Sequence, residues 1–168
     1  MASTSDLLVD GFGRVRENVH AAVEGLGEDE LAFRPAGSGN SIAWLVWHLT
    51  RVQDDHVAEV AGTKQAWTEE GWSGRFGLPF DEADTGYGHS AEEVAAVAVP
   101  AELLAGYHDA VVERTLAYVG RLRDDDLDRI VDERWDPPVT LAVRLVSVLD
   151  ADAQHVGQAA FVRGLLPG

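Results

Sequence analysis

Ser41-Ile42-Ala43-Trp44-Leu45-Val46-Trp47-His48-Leu49-Thr50-Arg51-Val52 carries the clearest structural signal in the chain. Ile42, Leu45, Val46, Leu49, Val52 and Val60 recur every three or four positions, the period of one helix face. The segment therefore reads as a helix from Ser41 to about Ala61, with Asn40 or Ser41 as its N-cap and Gly62 ending it. The residues around His48 are so apolar that this helix must be largely buried.

The same period returns on both sides. Leu8, Phe12, Val15, Val19 and Val23 outline a first helix from about Thr4 to Gly25. Pro100 can open a third long helix reaching about Leu122, with Leu103, Leu104, Tyr107, Val111, Thr115 and Tyr118 on its inner side. After Asp136-Pro137-Pro138 a fourth runs from about Thr140 to Leu165, and Ser90 with Glu93 forms a capping box for a short helix over Ala91 to about Val97. Four long amphipathic helices without alternating strands imply an all-α four-helix bundle, one domain over residues 1–168. Residues 63–90 break the pattern: Trp67, Trp72, Phe76, Phe80 and Tyr87 stand among glycines and acidic residues. This is expected to be a long aromatic-rich crossover between the second and third helices, without periodicity and packed back on the bundle. It is either a plain connection or the wall of a substrate site.

Composition narrows the function. Thirteen basic against 29 acidic residues give a net charge of −16, a surface that repels nucleic acid and anionic membranes. Cysteine is absent, which excludes disulfides, Cys-ligated zinc and an intrinsic thiol nucleophile. The opening Met1-Ala2-Ser3-Thr4-Ser5-Asp6 lacks the basic start of a signal peptide, and no apolar run approaches the roughly 20 residues of a membrane span. A cytoplasmic protein is expected.

Two of the six histidines stand out. His48 lies in an apolar helix, and His155 lies where polar groups interrupt another, in Asp150-Ala151-Asp152-Ala153-Gln154-His155. A buried imidazole needs a partner, and a hydrogen bond or a metal ion would serve. Residues three or four apart share a helix face, about 5–6 Å between Cβ atoms, so Asp152 and His155 could reach one ion. Gln158 follows on the same stripe as a group able to orient a ligand or water. His56, eight residues beyond His48, lies roughly 12 Å further along the axis, and Asp55 is also too far to ligate. Asp55 faces the same side as His48 and is left a supporting role; with His56 it could relay protons, or both could simply sit on an exposed turn. The resulting ligand set is His48, Asp152 and His155, with open positions for water and substrate.

These motifs resemble the DinB-like superfamily of metal-binding four-helix bundles. The resemblance rests on His48-Leu49, on His155-Val156-Gly157-Gln158, on the Asn40-Ser41-Ile42-Ala43-Trp44 entry and on the closing Phe161-Val162-Arg163-Gly164, and it spans essentially the whole chain. One departure is Ala151, where many members carry a histidine and the mycothiol-dependent maleylpyruvate isomerases a glutamate; Asp152 is the nearest substitute. The resemblance implies a thiol S-transferase, with mycothiol as co-substrate activated by a divalent metal, zinc or nickel foremost, and attacking a small electrophile. Arg163, with Lys64 and Arg75 beside it as candidates, would anchor an anionic group of cofactor or substrate. A metal-dependent hydrolase and a non-enzymatic, stress-related binding protein are the alternatives, and a homodimer is a reasonable assembly.

Overall fold

Four long helices build the molecule, and their caps are written in the sequence. In the computed structural model, which describes residues 2–166, the elements in chain order are α1 (Thr4–Val23), α2 (Glu28–Leu31), α3 (Ile42–Ala61), α4 (Ala66–Glu69), α5 (Trp72–Phe76), α6 (Ala91–Ala96), α7 (Ala101–Val119), β1 (Ile130–Asp132), β2 (Val139–Thr140) and α8 (Leu141–Gly164). Ser41 caps α3 by accepting from the Trp44 N–H, Thr140 caps α8 from Val143, and Ser90 with Glu93 forms the expected capping box on α6. Gly62 terminates α3 in the left-handed conformation, φ 68°.

Side-chain pairings fix the helix directions. His48 meets His155 and His56 meets Arg144, so α3 and α8 are antiparallel. Thr50 pairs with His108 and Val60 with Tyr118, so α3 and α7 run parallel. Ser5 with Val119 and Arg16 with Asp109 make α1 antiparallel to α7. The result is an up-down-down-up bundle of α1, α3, α7 and α8, the all-α four-helix architecture expected from the sequence. Its parallel pair requires a long crossover between α3 and α7.

That crossover is more ordered than its lack of periodicity suggests. It contains α4 and α5, which bury Trp67 and Phe76 against Tyr107 of α7, with ring centroids 5.0 and 5.7 Å from the tyrosine. Tyr87 is the exception among its aromatics, lying 94% exposed. Because the crossover covers one flank of α3 and the helices cover the other, Ile42 through Arg51 are all buried, and α3 is apolar nearly all round at that end. The acidic connector holds a second unexpected feature. There β1 and β2 pair antiparallel, with a cis Asp136–Pro137 bond in the connection between them.

The core divides in two. Val19, Leu45, Leu49, Val111 and Val156 belong to one apolar cluster; Phe12, Val57, Tyr118, Leu145 and Val148 belong to the other. Buried polar residues mark the change: Gln53 on α3, Thr115 on α7 and Asp152 on α8. Gln53 Nε2 donates to Thr115 Oγ1 at 2.8 Å, whereas Gln53 Oε1 and both Asp152 carboxylate oxygens have no partner among the described residues.

Candidate functional site

His48 and His155, 107 positions apart in sequence, face each other across the seam of α3 and α8 with ring centroids 4.7 Å apart and planes at 68°. Each ring is held by a backbone carbonyl. His48 Nδ1 lies 2.5 Å from Thr85 O, and His155 Nδ1 lies 2.6 Å from Ala151 O, one turn back on its own helix. A carbonyl only accepts, so each Nδ1 carries the proton and donates it, which leaves each Nε2 with a free lone pair in the neutral ring. Burial lowers the His48 pKa to about 4, so this ring is neutral at physiological pH. A neutral imidazole with Nδ1 tied to a carbonyl and Nε2 free is the form in which histidine binds metals.

The crossover builds the His48 side of the site. Trp44 stacks on His48 at 4.6 Å with planes 11° apart, and donates its indole N–H to His89 Nδ1 at 3.1 Å. His89 Nε2 in turn donates to Asp84 Oδ2 at 3.1 Å, so both His89 nitrogens are taken. Gly86, φ +91°, lies against this group. A Cβ there would stand 2.9 Å from His48 Nδ1 and 2.9 Å from the Trp47 ring, so only glycine lets the chain come close enough for Thr85 to reach the imidazole. Arg51, fully buried, anchors the same segment from below by donating to the Asp84 carbonyl, to Gln65 Oε1 and to the Tyr107 hydroxyl. Asp54 completes the anchor by accepting from the Ala66 and Trp67 N–H groups and from Tyr107 Oη.

Asp152 does not join the two imidazoles. It turns into the core with both oxygens unpartnered, and burial pushes its carboxyl well above the usual range. Among the described residues no group of three or more His, Cys, Asp or Glu is placed to hold a metal ion, so the three-residue set expected from helix spacing is not assembled. The reason lies in helix geometry. His155 sits at the α8 edge facing His48, and a residue three positions earlier rotates past that edge into the interior.

The supporting residues are scattered as well. Asp55 accepts from Gln65 Nε2 at 2.7 Å, and Gln158 is exposed on α8. His56 receives Arg144 Nη1 at 2.7 Å, consistent with its separation from His48. Arg163 donates to Ala22 O and lines a groove between α1 and α8, on the other flank of α8 from His155. Lys64 is exposed, and Arg75 stacks on Trp72 at 4.3 Å. Thr85, Gly86 and His89, which shape the site, escaped the sequence reading. The run Gly86-Tyr87-Gly88-His89 offers only its glycines as a signal.

Comparison with known proteins settles the family. The family model described as "MST: Mycothiol-S-transferase" matches residues 7–168. The chain belongs to the mycothiol S-transferase family. That membership supports a thiol S-transferase-like function and implies mycothiol as substrate. Among solved structures, the mycothiol S-transferase family member described here is similar to one titled "Crystal structure of the conserved protein of locus from Enterococcus faecalis". The two share 30% identity and a TM-score of 0.91 over 98% of each chain. No curated protein matches the chain. Among the described residues no helix of this family member is long and apolar enough to cross a membrane.

Proposed function

We propose that this chain is a metal-dependent S-transferase that joins mycothiol to a small electrophile at the free Nε2 atoms of His48 and His155. One observation carries the reading: two imidazoles from distant helices stand side by side, each with Nδ1 pinned to a carbonyl and Nε2 unspent. That arrangement fits a divalent metal held by two histidines, zinc or nickel by ligand type, with the remaining positions left to water and substrate. A metal held there would lower the pKa of a thiol enough to supply thiolate at neutral pH. The chain itself has no cysteine, so the sulfur comes from the co-substrate.

In the transfer, the sulfur forms a bond to the electrophilic carbon. The leaving group departs with the electron pair of the bond it breaks. The chain's residues orient and exclude water. Trp44 and the Thr85–Gly86 backbone fix the plane of His48, Ala151 O fixes His155, and the buried Arg51 network holds this part of the crossover against His48.

The test is elemental analysis together with mycothiol consumption, using monobromobimane as electrophile, for wild type, His48→Ala and His155→Ala. The reading expects bound metal and thiol consumption in wild type, with both lost in each variant while the helical circular dichroism is kept. Retained metal and rate in both variants would overturn it, as would hydrolysis of ester substrates in place of thiol consumption.

A further inference from the structure

Along the seam between α3 and α8, one turn from the imidazole pair, lies a groove. Val52 lies one turn beyond His48 on α3. Ala151, whose carbonyl holds His155, lies one turn back on α8, and both line a cavity of about 280 Å³. Its walls are Val139, Val143, Val148 and Trp135, the last 66% exposed as a flap contributed by the β1–β2 connection. Its far end is polar, formed by His56 and Arg144. Arg144 is the one formally charged side chain in the lining and is only 13% exposed. Its Nη1 donates to His56 Nδ1 at 2.7 Å and its Nη2 to Asp132 Oδ2 at 3.3 Å, so each terminal nitrogen keeps a second N–H. Asp132 does not neutralise it fully, because Arg134 shares that carboxylate at 2.8 Å. Three larger cavities, about 470, 490 and 430 Å³, lie between α3 and α7, between α1 and α8 and beside Lys64 and Glu82; neither imidazole lines any of the four, and the seam groove is the one of them walled by both α3 and α8.

We infer that this groove binds the electrophile, and that it selects an apolar, elongated substrate ending in a carboxylate, with the reactive carbon at the imidazoles and the anion at Arg144. The inference rests on the S-transferase reading. Charge complementarity favours an anion, since a guanidinium set in apolar walls on a chain of net charge −16 is the local opposite of its surroundings. Length follows from the helix: His48 and His56 are eight residues apart, roughly 12 Å along the axis, which suits two linked aromatic rings.

Two measurements separate this inference from the reading beneath it. First, binding of biphenyl-4-carboxylate and of the neutral biphenyl-4-carboxamide is followed by NMR shifts of valine methyls, without thiol. The carboxylate should shift Val52, Val139 and Val143 and bind about tenfold more tightly than the amide, the loss expected for one charge-assisted hydrogen bond. Arg144→Gln should erase that preference. Should that variant not fold, Val143→Glu, at a position 51% exposed, should repel the carboxylate while metal content stays that of wild type. Second, 4′-(bromomethyl)biphenyl-4-carboxylate is offered with mycothiol; the C–S bond forms as bromide leaves with the C–Br pair. Its KM should lie about tenfold below that of the matching amide. Equal affinity for both probes, shifts confined to the α1/α8 groove, or indifference to Val143→Glu would overturn the groove assignment. Carboxylate-selective binding with no thiol consumed would instead sink the transferase reading alone.

Discussion

The two ends of the α3/α8 seam use the same residue type to opposite effect. At one end His48 and His155 give their Nδ1 protons to carbonyls and keep Nε2 free. At the other, eight residues along the same stripe, His56 accepts from Arg144, which in turn reaches Asp132. What differs is the facing group. A carbonyl fixes an imidazole while leaving a ligand lone pair on the far side, whereas a guanidinium consumes the lone pair it meets. Histidine on a suitable face is therefore not enough to make a metal site; the second hydrogen-bond partner decides what the ring can do.

Breaking the free end should have the largest consequence. His48→Ala is expected to lower metal affinity and thiol-transfer rate by at least about 100-fold, whereas His56→Ala should leave metal content within about twofold of wild type. Calorimetric metal titration of both purified variants checks the contrast, and equal losses in the two would erase it. Next comes Gly86→Ala, which leaves both histidines in place but forces a Cβ against His48 Nδ1 at a positive φ. It should weaken metal binding about 10- to 100-fold and cost about 1–3 kcal/mol in stability, read by urea denaturation. Unchanged metal affinity would show that the Thr85 carbonyl does not set the ring.

The paired end can be sharpened by pH. Hydrogen bonds from Arg134, with further attraction from Arg144, hold the Asp132 carboxyl well below the usual carboxylate range. A depressed folded-state pKa stabilises above the unfolded value near 3.9 and loses that contribution as pH falls below it. Asp132→Asn should therefore flatten the acid limb of a Tm-against-pH curve and leave metal content unchanged. A curve that superimposes on wild type would count against the pairing of Asp132 with Arg134 and Arg144. The smallest effect is expected from Asp152→Asn. Its buried carboxyl is raised by burial, so the folded state favours the proton, and holding that proton costs stability as pH climbs above about 4. The variant should equal wild type near pH 4 and be unchanged or more stable by about 1–2 kcal/mol at pH 7, with metal retained. Metal loss on this substitution would restore Asp152 as a ligand.

Much of this molecule is determined locally. The helical period of apolar residues, the Ser41 and Ser90 caps and the Gly62 stop placed the helices within a few residues, because each depends on neighbours within about one turn. His48 and His155 stood out for a similar reason: polar rings in apolar helices demand partners, and that demand is visible in composition. Other features were decided only by packing. Spacing along α8 showed that Asp152 shares a face with His155, but a helix face is broad, and only the position of α3 determined that the edge facing His48 ends at His155 while Asp152 turns into the core. Thr85, Gly86 and His89 reach His48 through a crossover with no period to read, held by an arginine, Arg51, whose four-way hydrogen bonding joins segments far apart in the chain. Helices are written in short-range interactions; the site is assembled by long-range ones, and those exist only once the chain has folded.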